Sequence, residues 1–223
     1  NIIICDIIKK AGDTMAKRSY DSKLIRIKGI KANKNPLNSK VEIRTSLRIP
    51  LKRGIASCIL MNPSTADSID SDDTINSVTE YIHKNIPEIH WIRFYNLYPF
   101  YEPRSPKIYN LIHNLTPLEY STAMDSNRLE IKKSLESTTH LFLGYGQCSG
   151  DSNDKARYYD IETVKLLNMI EKKYKNDIFV FETSQSNKIL IKNKYPRHPN
   201  PNNEHFAINH HKCHIKNGLI ILN

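Results

Sequence analysis

The sequence predicts an α/β protein of three layers, α/β/α, with a central, mainly parallel four-stranded sheet and antiparallel strands ahead of it. Three observations lead there. Apolar, β-branched or aromatic runs recur at residues 55–61 (I-A-S-C-I-L-M), 89–97 (I-H-W-I-R-F-Y-N-L), 139–144 (T-H-L-F-L-G) and 177–182 (D-I-F-V-F-E), the composition of interior strands covered on both faces. Segments of helical character, about 73–86, 117–136 and 156–174, lie between them. Strand and helix therefore alternate, the order of a doubly wound sheet.

Residues 1–14 are apolar in part, but Asp6 interrupts them, and Met15 opens M-A-K-R-S-Y like a translation start. They are expected to be an upstream extension, with residues 15–223 forming one domain. Residues 23–33 and 41–51 alternate apolar with polar or basic residues, the period of half-buried antiparallel strands, and N-K-N-P-L-N-S-K (33–40) is the loop between them. Thr116-Pro117 reads as an N-cap followed by proline in the first helical position. In 156–174 the residues Ile161, Val164, Leu166, Leu167 and Ile170 form an apolar stripe at helical spacing. The end, H-I-K-N-G-L-I-I-L-N (214–223), is a terminal strand or hairpin, with Asn217-Gly218 as its turn.

At 39% hydrophobic with only 7 Gly in 223 residues, the chain has the composition of a folded protein. Its net charge of +10 and pI of about 9.3 favour an anionic partner, nucleic acid ahead of a membrane surface. Compositional drift toward Lys, Ile and Asn gives the same charge without function. The four cysteines, Cys5, Cys58, Cys148 and Cys213, are scattered, so a reducing, cytoplasmic compartment is expected, with Cys58 as a core residue. His205, His210, His211, Cys213 and His214 have none of the usual zinc spacings, and no metal or other cofactor is expected. No apolar stretch approaches the ~20 residues of a membrane helix.

In open parallel sheets ligands bind beyond the carboxyl ends of the strands. Here those ends read Asn62-Pro63-Ser64-Thr65-Ala66-Asp67, Asn96-Leu97-Tyr98-Pro99-Phe100-Tyr101, Gly144-Tyr145-Gly146-Gln147, and Thr183-Ser184-Gln185-Ser186 followed by Tyr195-Pro196-Arg197-His198-Pro199-Asn200-Pro201. Each has an ordinary explanation: Asn-Pro initiates turns, Asn96 can cap a strand, G-Y-G makes a tight turn, and His198 can be a surface loop residue. Their convergence on one edge favours function.

These motifs resemble an uncharacterised bacterial family carrying a domain of unknown function with the N-P-S-T-A-D signature, over about residues 41–201. The shared elements are N-P-S-T-A-D, then D-x-T (Asp72-Asp73-Thr74, with Asp73 where that family usually has proline), N-L-x-P (96–99), a glycine turn and R-H-P. More distantly, the layout is similar to the uracil-DNA glycosylase superfamily. Met61-Asn62-Pro63-Ser64 matches a first-strand motif such as M-N-P-G, with Ser64 replacing glycine. Asn96 matches the base-reading asparagine, and His198-Pro199-Asn200-Pro201 matches a late H-P-S-P-like loop.

That resemblance implies a DNA glycosylase that removes a damaged or modified pyrimidine from a flipped nucleotide and leaves an abasic site. Such a reaction asks the protein to position water and to stabilise a departing anionic base. Asn62 would hold the water through its side-chain carbonyl, and Asp67 is the nearest acid if a stronger base is required; its alternative role is to cap the loop or the next helix. His198 would donate to the leaving base or touch a phosphate. Asn96 would read the base edge, with Tyr98 and Phe100 stacking or walling the pocket. Arg197, Arg104 and Lys107, with the turn Gly144, Gly146 and Gln147, would meet phosphates. Classical uracil enzymes place a bulky aromatic after the first motif. Ser64 and Thr65 are small, which points to a roomier pocket, such as one for the modified cytosines of phage DNA in antiviral defence. DNA is then the expected partner, with no membrane and no obligatory protein partner. A hydrolase of free nucleotides or nucleosides, a non-catalytic nucleic-acid-binding module and a metalloenzyme remain the alternatives.

Overall fold

The computed structural model describes residues 17–21, 27–50, 54–102, 107–147, 153–199 and 206–223. The expected extension at 1–14 lies outside them. The elements are β1 (Lys31–Pro36), β2 (Glu42–Pro50), β3 (Gly54–Leu60), α1 (Asp73–Asn85), β4 (His90–Asn96), α2 (Ile108–His113), α3 (Pro117–Leu135), β5 (His140–Leu143), α4 (Asn153–Lys173), β6 (Asp177–Thr183), β7 (Leu190–Ile191), β8 (Tyr195–Pro196), β9 (Ala207–Lys216) and β10 (Leu219–Leu222).

The result is a mixed α/β architecture. One eight-stranded sheet runs β1-β2-β4-β3-β5-β6-β9-β10, and β7-β8 forms a separate hairpin. The four expected core strands are parallel neighbours in the order β4-β3-β5-β6. Antiparallel strands flank them, β2 against β4 and β9 against β6. Their buried residues feed two apolar clusters. In one, Ile59, Leu141, Leu143 and Val180 pack with Met124 and Ile131 of α3 and Leu166 and Ile170 of α4. In the other, Cys58, Phe94, Phe142 and Phe181 pack with Ile75, Val78 and Ile82 of α1. Helices thus cover both faces of the parallel strands, which explains why those strands carry so little polar alternation.

Local signals account for the helix starts. Thr116 caps α3 in a reciprocal capping box with Glu119, and Pro117 occupies the first turn. Asp72 caps α1 by accepting from the Ile75 amide. At the C-terminus, Asn217 (φ 53°) and Gly218 (φ 71°) make the two-residue β9–β10 turn at the expected place.

Four expectations are corrected. The expected strand at 23–33 lies outside the described residues over 23–26; beyond them Ile27–Gly29 is a 3-10 turn, and β1 runs from Lys31 through Asn35 and Pro36, where the sequence predicts the loop. As an edge strand, β1 tolerates a proline that an interior strand would not. Next, β2 is not half-buried. It lies between β1 and β4 and hides Arg44, Thr45 and Ser46 as well as its apolar residues. The buried face of α4 also differs from the apolar stripe. Ile161 and Val164 are exposed, while Tyr159, Glu162 and Thr163 are buried with Leu166, Leu167 and Ile170. Glu162 is hidden because Arg128 and Lys165 pair with it, at 2.5 and 2.9 Å. Finally, the C-terminal pairing begins at Ala207, since β9 is a full partner of β6.

Cys58 is fully buried, and burial pushes its thiol well above the ordinary value. Among the described residues, no helix is long and apolar enough to cross a membrane.

Candidate active site

The chain leaves β3 toward β4 and returns to place β5 on the other side of β3, so β3 and β5 are adjacent strands whose onward connections diverge. Such a switch point opens the crevice in which doubly wound sheets bind ligands. At the carboxyl ends of these two strands stand Met61-Asn62 and Gly144-Tyr145-Gly146.

The β3 exit is pinned to the segment after β4. The Leu97 amide donates to the Leu60 carbonyl (2.7 Å), Tyr98 to Met61 (2.8 Å) and Glu102 to Pro63 (3.3 Å). Asn62, half-buried, donates its Nδ2 to the Glu102 carbonyl and, at 3.4 Å, to that of Pro63. The rest of the N-P-S-T-A-D turn hangs on buried or half-buried donors. Arg44, 1% exposed, donates Nη1 to the Ala66 carbonyl, Tyr101 donates its hydroxyl to the same oxygen at 3.0 Å, and Tyr20 donates to the Asp67 carbonyl at 2.6 Å.

Asp67 serves that turn. Its Oδ1 accepts from the amides of Ile69 (2.8 Å) and Asp70 (3.0 Å), and Lys34 stands 3.5 Å from Oδ2. Partial burial works to raise its pKa, but those two amides and the Lys34 ammonium outweigh it and hold the carboxyl below the ordinary value. A carboxylate so engaged fits the capping role weighed from the sequence better than a general base. Ser64 and Thr65 are half-buried, and the Thr65 hydroxyl is a buried atom with no hydrogen-bond partner.

Across the switch point, Gly144 and Gly146 lie beneath the His198–Pro199 segment. A Cβ on Gly146 (φ +71°) would stand 3.3 Å from the His198 Cβ and 3.9 Å from the Met61 methyl; one on Gly144 would stand 3.0 Å from Pro199 and 3.3 Å from Leu60. His198 and the residue before Asn62 thus meet over one glycine. Two neighbours on α4 hold this arrangement. Tyr159 donates to the carbonyls of Gly146 (2.6 Å) and Tyr145 (3.2 Å), and Asp160 accepts from the Tyr195 hydroxyl and pairs with Lys194 at 3.0 Å.

Burial hides several of the other expected site residues. Asn96 is 1% exposed; in the amide orientation that satisfies its neighbours it donates to the main-chain carbonyls of Asn62 and Tyr95, both at 3.3 Å. Asn127 of α3 donates to the Asn96 carbonyl at 2.8 Å. Tyr98 and Phe100 are fully buried, the first edge-on to Tyr109 and the second stacked on Tyr120 at 6.1 Å. Placed as base-stacking residues from the sequence, these two are core residues in this form. Gly144 and Gly146, placed as phosphate-binding, are likewise buried, while Gln147 is half-buried. Lys107 is exposed at the start of α2, and Arg197 spans the base of the β7–β8 hairpin by donating Nε to the Lys188 carbonyl. Arg104, Asn200, Pro201 and His205 lie outside the described residues. Sequence reasoning missed Arg44, Tyr159 and Asp160, whose partners are distant in the chain and leave no local pattern.

A groove of about 760 Å³ runs between α1 and the start of β9, with Arg18, Asn76, Tyr81 and Ile208 among its walls; no expected site residue lines it. The histidine run of β9 disperses. His210 meets the Tyr81 hydroxyl at 2.8 Å, His211 meets Glu182 at 2.7 Å, and His214 meets Asn223 at 2.7 Å. Cys213 is buried in the core on the α4 side. Among the described residues, no three His, Cys, Asp or Glu side chains gather as metal ligands.

No curated protein and no solved structure matches the chain. The pattern of one protein family, described as a protein of unknown function (DUF1643), matches residues 46–200, from within β2 to just past the His198–Pro199 segment. The chain belongs to that family.

Proposed function

We propose that this protein is a DNA glycosylase that hydrolyses the N-glycosidic bond of a flipped, modified pyrimidine, on a three-layer fold of the uracil-DNA-glycosylase kind. The observation that carries the reading is the arrangement of Asn62. Its nitrogen end is committed to the Glu102 carbonyl, so its oxygen end is the one an incoming water meets, beside a glycine turn on which His198 rests. A fixed amide acceptor orients water rather than deprotonating it, which suits a reaction in which the sugar develops cationic character before attack. His198 supplies a donor for the departing base.

The edge is closed in this form. Asn96, Tyr98 and Phe100 are sealed, and the glycine turn is covered. The reading therefore requires the His198–Pro199 segment to lift when a nucleotide enters, and it gives base contact to the small residues Ser64 and Thr65. Thr65 brings a buried hydroxyl without a partner. A bulky modified cytosine, as in phage DNA, is the substrate class that fits side chains of this size, and antiviral defence is the corresponding role.

The test is product analysis. Purified protein is incubated with DNA containing uracil, DNA containing modified cytosines, and the free nucleotides, and abasic sites are read by alkaline cleavage. The reading predicts base release from modified DNA. Release from uracil DNA alone overturns the choice of base. Hydrolysis of monomers alone replaces the reading with that of a nucleotide hydrolase.

A further inference from the structure

Between Thr183 and Asn203 the sequence holds Lys188, Lys192, Lys194 and Arg197 and no acid. The structure turns this stretch into the β7–β8 hairpin, which leaves the carboxyl end of β6 and returns directly into His198. Its tip is a three-residue loop, 192–194, in which Lys192 at φ 51° and Asn193 at φ 54° are both in the left-handed region and the Lys194 amide donates to the Ile191 carbonyl at 3.0 Å. The hairpin is braced rather than loose. Arg197 ties its base to the Lys188 carbonyl and reaches Gln185 at 3.4 Å, while Lys194 and Tyr195 are both held by Asp160. Of the four cations, Lys188 and Lys192 are exposed. Neither takes part in an ion pair among the described residues.

The apolar residues of the hairpin do not share that exposure. Leu190 is buried, and Ile189 and Ile191 pack against the α3–α4 side of the core. The outer surface is therefore cationic without an apolar wedge, the opposite of what insertion into a lipid surface requires. Flexible ammonium groups on a stiff support suit contacts to a phosphate backbone that carry no sequence information.

We propose that the β7–β8 hairpin grips the phosphodiester backbone of the DNA strand beside the His198 edge, through Lys188 and Lys192. The assignment rests on the DNA reading of that edge and adds to it the element that holds the strand.

The test measures binding, with base release scored separately. Anisotropy of labelled single-stranded and duplex oligonucleotides of ordinary bases is followed across a salt series for wild type and for the Lys188→Gln/Lys192→Gln variant. A control variant, Lys84→Gln/Lys132→Gln, removes the same charge from exposed positions on α1 and α3. The proposal predicts at least a ~10-fold loss of affinity at low salt in the hairpin variant. It also predicts a plot of log K against log salt shallower by about 1.4–1.8, at ~0.7–0.9 per lost phosphate contact, with the control retaining the wild-type slope. An unchanged slope, an equal loss in the control, or no DNA binding by wild type overturns it. So does a hairpin-dependent preference for anionic phospholipid vesicles over DNA. Base release by wild type with unaltered binding in the hairpin variant sinks the clamp alone. The predicted loss of slope without any base release sinks the glycosylase reading alone.

Discussion

Gly146 and His198 are in contact across the switch point of the sheet: a Cβ on the glycine would lie 3.3 Å from the histidine Cβ, and the glycine holds φ +71°. A side chain there would strain the left-handed backbone and press on the His198 Cβ. Gly146→Ala should destabilise the fold by about 1–2 kcal/mol, the penalty of placing a Cβ in the left-handed region. It should also displace His198 and so reduce base release beyond what stability explains. Urea unfolding and a turnover assay on the same samples check this. A variant with normal stability and normal release contradicts the contact.

Tyr159 sets the height of that turn. Its hydroxyl satisfies two carbonyls inside the core, and Tyr159→Phe leaves them unpaired while keeping the ring. The expected loss is about 1–3 kcal/mol, read as a lower denaturant midpoint with an unchanged slope. A midpoint equal to wild type would mean that the bonds contribute nothing.

Asp67 separates a structural carboxylate from a catalytic one. Asparagine retains an oxygen for the Ile69 and Asp70 amides but cannot act as a base. Asp67→Asn should therefore keep most of the base-release activity, whereas Asp67→Ala loses the turn and about 1 kcal/mol. Loss of activity in Asp67→Asn with normal stability would assign Asp67 to the chemistry.

Much of this arrangement could be read in advance, for a physical reason. Strands buried on both faces advertise themselves as apolar runs, and a helix start such as Thr116-Pro117 with Glu119 is encoded within four residues. The parallel order then follows, and with it the edge at which β3 delivers Met61-Asn62 and Gly146 meets His198. What escaped depends on partners far apart in sequence. Arg44 is buried because the Ala66 carbonyl lies 22 residues away, and Asn96 because its carbonyl meets Asn127, 31 residues on. The three-residue β7–β8 loop, Lys192-Asn193-Lys194, lacks the glycine that would signal a hairpin. The buried face of α4 was misread because Glu162, though charged, points inward to Arg128.

His210 gives the fold a pH dependence of known sign. Burial, then the neighbouring His211 and His140, push its pKa below the ordinary 6.5. The unfolded chain therefore binds the proton more readily than the folded one, and stability from this site is complete above about pH 6.5 and falls as the pH drops through the lowered folded-state value. Glu182 pairs with the neighbouring His211 at 2.7 Å, and the Tyr81 hydroxyl meets His210 itself at 2.8 Å. Unfolding free energies at several pH values between 7.5 and 5 should decline for wild type and less steeply for His210→Gln. Parallel declines would remove His210 as the source.

The central claim is tested most directly by Asn62→Ala beside wild type, on one modified-cytosine DNA, with base release and DNA affinity measured on the same preparations. The account predicts that the variant loses base release by 100-fold or more, on the order of what positioning of a reactant contributes, while its affinity for DNA stays within about twofold. Undiminished release by Asn62→Ala would contradict it.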